Sequence, residues 1–288
     1  MDSSRPLAYV SGQPIRVETL WPALIEAAGG TALSDAVLSQ LVADRLASVG
    51  ITLTEADHAA ERDQLAQTLS DDPDVAARLV KELRQRRGLG EVRYAALIAR
   101  NAGLRALVRD GVKVQEPAVQ QAYRLAYGPS VRVRLIVAPT LVAAARLSKQ
   151  LAAGDGTDAT FARLASEEST DSSGRQGGLL SPMRPDDTSY PQSIRDAAAA
   201  LASGEVSPPV TVEGGFALLR CLEHLPARTD VSLEAIRPHL ETQVRRRAER
   251  ILMQQAAREL VSGADVVVLN PTLSKGWKQE RAKLLAPR

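Results

Sequence analysis

Aromatic residues are scarce in this chain: two Phe, two Trp and five Tyr in 288 residues. The core must therefore be built mostly from Leu, Val, Ile and Ala, a set that favours helices. Cysteine is nearly absent. Cys221 stands alone, which excludes an intrachain disulfide and offers no thiolate metal pattern. The three histidines, His58, His224 and His239, are too scattered for ligand spacing. There is no HExxH, no P-loop and no GxGxxG, so neither a metal nor another cofactor is expected. No run of about 18 apolar residues occurs, and so no integral membrane segment is expected. The net charge is only +2, too balanced to suggest a nucleic-acid partner. The basic triplet Arg245–Arg247 falls in a helical pattern beside Glu241 and Glu249 and reads as a solvated face. The opening stretch, MDSSRPLAYVSGQPI, lacks the charged-then-apolar order of an export signal.

What is present is a folded, globular composition: 44% hydrophobic and 24% charged. LAYVSGQPI reads as a small hairpin turning at Ser11-Gly12. Helical periodicity runs from Val17 to Ala28 and is expected to close at Gly29-Gly30. It resumes with Ser34 as a plausible N-cap, a stripe of Val37, Leu38, Leu41, Val42 and Leu46, and a stop at Gly50. Thr54-x-x-Asp57 is a relative of the capping box and opens another helix. Further helices are expected over 74–86 and 91–109. Val114–Gly128 is a short helix, after which the pattern changes. A strand (131–138), two helices (141–153 and 158–169), a polar loop, a helix ending at Gly204 and two short strands around Gly214-Gly215 make a β-α-α-α-β-β unit. A long helix then runs from Leu233 to Val261. ADVVVLNPTL looks like an isolated strand, and an unpaired strand needs a partner for its backbone. The spare partner is LAYVSGQPI, so the two are expected to pair. The fold class is α+β: a mainly helical domain formed by both chain ends (1–128 and 227–288), with the β-α-α-α-β-β domain (129–226) inserted.

Two blocks carry a family likeness. STDSSGRQGG (169–178) and AAAALASGEVSPPVTVEGGFALLR (197–220) resemble the parvulin-type peptidyl-prolyl isomerase domain. Gly204, Glu205, Val206, Ser207, Pro209 and Val210 fit its G-E-V-S-x-P-V element. The flanks, VSGQPI and RLASVGITLTEAD, are similar to the SurA/PrsA-like foldases, which embed such a domain in a helical chaperone domain. The resemblance implies unfolded or partly folded polypeptides as partners, an extracytoplasmic place of action, and a homodimer as one assembly state.

The resemblance also implies a groove, and here the chain departs from the pattern. Parvulins lower the barrier of about 18–20 kcal/mol to rotation of a prolyl amide, and do so by binding the twisted amide rather than by a nucleophile. The family's two groove histidines fall at Leu135 and Ala217. Its loop residue falls at Asp171, the candidate catalytic group. That residue equally suits a turn cap with Ser172 and Ser173. Leu179 replaces an acid, and Met183 replaces an aromatic residue. The apolar substrate-binding set is then Leu135, Leu180, Met183, Tyr190, Ile194, Phe216 and Ala217. Cys221 lies on the same strand face as Ala217 and reads as an inert buried thiol. Trp21 and Trp277 read as core of the composite domain or as a client surface. The expected function is a folding chaperone whose isomerase activity is weak or lost. The alternatives are an active isomerase and a non-catalytic module for one assembly partner.

Overall fold

The structure, a computed structural model, describes residues 5–154 and 156–286. Its packing divides the chain into two units, Met1–Lys113 with Arg245–Arg288, and Val114–Val244. The first unit opens with strands β1 (Ala8–Val10) and β2 (Gln13–Ile15). Helices α1 (Val17–Leu24), α2 (Gly30–Ser48), α3 (Glu55–Leu69), α4 (Pro73–Arg86) and α5 (Glu91–Val108) follow. The second holds α6 (Glu116–Tyr127), β3 (Ser130–Ala138), α7 (Leu141–Ala153), α8 (Asp158–Glu168), α9 (Gln192–Ala200), β4 (Val210–Val212) and β5 (Gly215–Leu225). Helix α10 (Leu233–Gly263) starts in the second unit and ends in the first, which α11 (Pro271–Leu285) completes. The fold is α+β and mostly helical, as expected. None of the described helices is long and apolar enough to cross a membrane.

In the helical unit the stripe on α2 behaves as its spacing dictates. Leu38, Val42 and Leu46 recur every four residues on one face. They are buried with Leu104 of α5, Val261 of α10 and Trp277 of α11. Thr54 and Asp57 form a reciprocal capping box at the start of α3, and Gly50 ends α2 with a left-handed φ of +70°. Arg105 of α5 binds Glu61 of α3 at 2.8 Å and also Glu249 of α10, joining three helices through one guanidinium.

Three expectations need correction in this unit. Gly29-Gly30 is no turn: α1 continues through a π-helical turn (Ile25–Gly29) straight into α2. The glycines serve close packing instead, since a Cβ on Gly30 would stand 2.8 Å from Gly276 Cα of α11. Ser34 lies buried inside α2 and caps nothing. The hairpin β1-β2 forms, but the segment around Val266–Leu269 is not paired with it. That segment is an extended link between two helices. Val266 and Val268 turn onto the helical core, and Asn270 caps α11 by accepting a hydrogen bond from the Leu273 amide at 3.1 Å.

In the second unit an antiparallel sheet of order β3-β5-β4 separates two apolar layers. Period-2 alternation explains both. Val131, Val133 and Leu135 of β3 face one layer with Ala217, Leu219 and Cys221 of β5, covered by Ile194 and Ala198 of α9. Ile136 and Ala138 face the other with Leu218, covered by Leu147 of α7 and Phe161 and Leu164 of α8.

Candidate functional site

The candidate site occupies the first of these layers and is built from the free edge of β3. Ser169–Met183 covers that edge in place of a strand. Thr170 donates to the Val137 carbonyl through its amide (2.9 Å) and its hydroxyl (3.1 Å), and the Val137 amide donates to Ser169 Oγ at 3.1 Å. Further along, the Leu135 amide donates to the Gly178 carbonyl (2.8 Å) and the Leu180 amide to the Val133 carbonyl (3.1 Å). Val131 and Met183 exchange a pair of backbone bonds at 2.8 and 2.9 Å.

This seating accounts for the glycine pair in STDSSGRQGG. Gly177 and Gly178 both have positive φ, +64° and +73°, and a Cβ on Gly178 would come within 2.3 Å of the Leu135 carbonyl oxygen. Arg134 fastens the same loop from the opposite face of β3. It binds Asp158 with two bonds, 2.6 and 2.9 Å, and donates to the Gly177 carbonyl at 2.9 Å. The second motif, G-E-V-S-x-P-V, closes the far edge of β5. Gly204 takes a φ of +86°, and Glu205 accepts a hydrogen bond from the Ala202 amide at 2.9 Å. Buried Ser207 donates its amide to the Leu219 carbonyl (2.8 Å), while its hydroxyl accepts the Leu219 amide (3.0 Å). Its side chain thus stands in for a missing backbone acceptor.

Leu135, Leu180, Met183, Tyr190, Ile194 and Ala217 come together in one apolar cluster. Phe216 does not join them: it packs in the opposite layer beside Ile136 and Ala138, because adjacent residues of a strand face opposite ways. Ala217 is fully buried and Leu135 is 8% exposed, so both positions are sealed with hydrocarbon. Met183 and Ile194 are buried too. What reaches the surface is a ring of half-buried groups: Leu180, Tyr190, Val137, Ala197, Val210 and Val212. Val137, Ala197 and Val212 are not singled out from the sequence, and Val210 only as part of the G-E-V-S-x-P-V element, although the alternation that picks Leu135 on β3 also picks Val137, and that on β4 picks Val210 and Val212.

The polar inventory is small. Asp171 caps the 3-10 turn 172–176, accepting from the amide (2.8 Å) and hydroxyl (2.5 Å) of Ser173. The Tyr190 hydroxyl is pushed above its usual range, chiefly by burial and then by Asp187 and Asp171. Burial likewise pushes the Cys221 thiol up, which favours an inert protonated sulfur. None of the three histidines stands at Leu135 or Ala217, although His224 pairs with Val131 at the end of this layer. His58 meets Glu55 in α3, His224 bonds the Leu201 carbonyl (2.8 Å), and His239 meets Gln243 in α10. Among the described residues no group of three or more His, Cys, Asp or Glu is placed to hold a metal. Such a surface can accept an apolar side chain, and it carries no imidazole at positions 135 and 217.

Residues 118–238 match the family model of the PPIC-type PPIASE domain. Several solved structures are similar over most of the chain. The peptidylprolyl isomerase PrsA of Bacillus cereus is 19% identical, with 96% of this chain and 99% of that chain covered and a TM-score of 0.41. PrsA of Bacillus anthracis is 16% identical, over 83% and 100% of the two chains, with a TM-score of 0.48. A structure from work on PEB4 and Cj1289, described as SurA-like chaperones of Campylobacter jejuni, is 18% identical over 92% and 100%, with a TM-score of 0.34. No curated protein sequence matches. Residues 118–238 are therefore a parvulin-type, PPIC-type domain.

Proposed function

We propose that this protein is a folding chaperone that holds unfolded or proline-containing polypeptide, acts as a homodimer, and has weak or no peptidyl-prolyl isomerase activity. The observation that carries the reading is an apolar surface without an internal partner. Helix α1 buries none of its residues, and it presents Leu20, Leu24 and Trp21, the last 56% exposed. Large apolar groups displayed together mark a binding surface, because each is costly to leave in water. The sealed positions Leu135 and Ala217 support the second half of the reading. The test is an aggregation assay. The protein at equimolar ratio should slow aggregation of a chemically unfolded client. A Trp21→Ser, Leu24→Ser variant should lose most of that effect with an unchanged melting temperature. Full protection by this variant would remove the surface from the account.

An active isomerase is the second reading, favoured by the retained Asp171 loop and by Tyr190 at the apolar surface. Rotation of an amide needs differential binding, not a nucleophile. Exchange NMR on a proline tetrapeptide decides between the two. Acceleration over the uncatalysed tens of seconds, lost in Asp171→Ala, would put the isomerase first.

A further inference from the structure

We propose that the helical unit carries a second polypeptide-binding site, a groove at the α4–α5 corner that takes segments rich in acidic side chains. The site shares with the chaperone reading only its partner, polypeptide, and rests on that reading to this extent.

Charge is the first observation. Between Arg78 and Arg93 the chain has six basic residues and two acidic ones, Glu82 and Glu91, in a protein whose net charge is only +2. Both carboxylates are already engaged. Glu91 binds Arg84 at 2.5 Å, and Glu82 binds Arg86 at 3.3 Å. Arg93 is paired with Asp35 of α2 at 3.1 Å. Arg78, Lys81 and Arg87 are exposed and, among the described residues, form no ion pair. Cations in the last turn of a helix complement its negative end, an effect confined to that turn. Arg78 and Lys81 stand earlier in α4, so that effect does not account for them.

Shape is the second observation. A groove of about 710 Å³ runs along α4 against the turn before α5. Ala77, Val80 and Leu89 give it an apolar floor, with Lys81, Arg84 and Gln85 beside them. Ala77, Lys81 and Arg84 fall at helical spacing and share one face. The turn that walls the groove is fixed in place. The Leu89 amide donates to the Arg84 carbonyl at 2.8 Å, and Arg84 Nε donates to the Leu89 carbonyl at 3.3 Å. The Arg84 guanidinium also lies 4.5 Å over the Tyr94 ring. Gly88 takes a φ of +59°, and a Cβ there or on Gly90 would meet nothing within 4 Å, so the wall leaves room for an incoming chain. An apolar floor edged by unpaired cations is complementary to a peptide that carries both apolar and acidic side chains.

The same chemistry disfavours other polyanions. No aromatic residue lies between Pro73 and Arg93 for a base to stack on. A lipid surface takes up apolar groups that project, whereas Ala77, Val80 and Leu89 line a concavity.

The experiment uses the full chain and the fluorescence anisotropy of two short labelled peptides. One is built from Glu, Leu and Ser, and the other has Lys in place of Glu. The acidic peptide should bind at least about tenfold more tightly than the basic one, and its affinity should fall as salt rises. Arg78→Gln, Lys81→Gln should weaken it by about tenfold. The melting temperature should not move, since glutamine keeps the helix propensity and neither side chain has an ionic partner to lose. A charge-matched control at exposed positions outside the groove, Lys149→Gln with Lys278→Gln, should bind as the parent does. Equal affinity for the two peptides, or equal losses in the two double variants, overturns the site. Tighter binding of a single-stranded oligonucleotide or of phosphatidylglycerol vesicles, lost in Arg78→Gln, Lys81→Gln, gives the groove another partner and overturns it too. The chaperone reading is tested apart from this, by aggregation. A protein that protects no client yet binds the acidic peptide in the expected way sinks that reading and upholds the groove. Loss of the peptide in Trp21→Ser, Leu24→Ser would place binding on α1 and overturn the groove.

Discussion

At the scale of single residues, Leu135 and Ala217 are the two buried positions on which the proposed loss of isomerase activity rests. Ala217 is fully buried in a layer with Leu135, Leu219 and Cys221. Restoring an imidazole by Ala217→His would both overfill that layer and bury a polar ring, so we expect a loss of about 2–4 kcal/mol. Denaturant unfolding measures it directly, and an unchanged midpoint would mean the position opens to solvent. Asp158 allows a second residue-level test. The Arg134 guanidinium holds its carboxyl below the ordinary value of 3.8. With the folded pKa depressed, the contribution is fully present above the ordinary value and is lost as pH falls through the lower folded one. Asp158→Asn should therefore lower stability at neutral pH by about 0.5–1 kcal/mol, small because the carboxylate is about half exposed. The difference from the parent should close as the pH falls well below the ordinary carboxylate range. A gap that persists in acid would point to packing rather than charge.

At the scale of elements, the crossing of α2 and α11 rests on two glycines facing each other. A Cβ on Gly276 would lie 2.7 Å from Gly30 Cα. Helix propensity alone favours alanine by about 1 kcal/mol, so any loss in Gly276→Ala reports the clash. We expect a net loss of about 1–2 kcal/mol, read as a lower melting temperature, and a gain would separate the two helices. The same pair shows where the sequence was legible and where it was not. The α2 stripe, the Thr54 box, the Gly50 stop and β3 follow from spacing and local hydrogen bonding, and each appears at its expected place. Gly29-Gly30 carries an identical local signal to a turn, yet its role is set by a helix some 240 positions away in the sequence, which no local pattern contains. The link at Val266–Leu269 has the alternation of a strand, and alternation does not name a partner. Phe216 was grouped with Ala217 through a motif, whereas strand geometry puts neighbours on opposite faces. Asp171 read as either a cap or a functional group, and the cap is made.

At the scale of the whole molecule, the chain is organised as one unit interrupted by another. Residues 114–244 hold two buried layers on one sheet and need no side chain from elsewhere to fill them. A fragment of those residues should unfold cooperatively in urea with a single transition seen by both far- and near-ultraviolet circular dichroism. Retained secondary structure without fixed tertiary signal would show that the layers depend on the rest of the chain. The first unit is in the opposite position. The partners of Leu38, Val42 and Leu46 include Val261 and Trp277, near the end of the sequence. As the polypeptide leaves the ribosome, the inserted unit has all of its parts before α10 is finished, while α2 waits with its apolar stripe uncovered. Until α11 arrives, a protein of this design is itself an unfolded client of the kind it is proposed to hold.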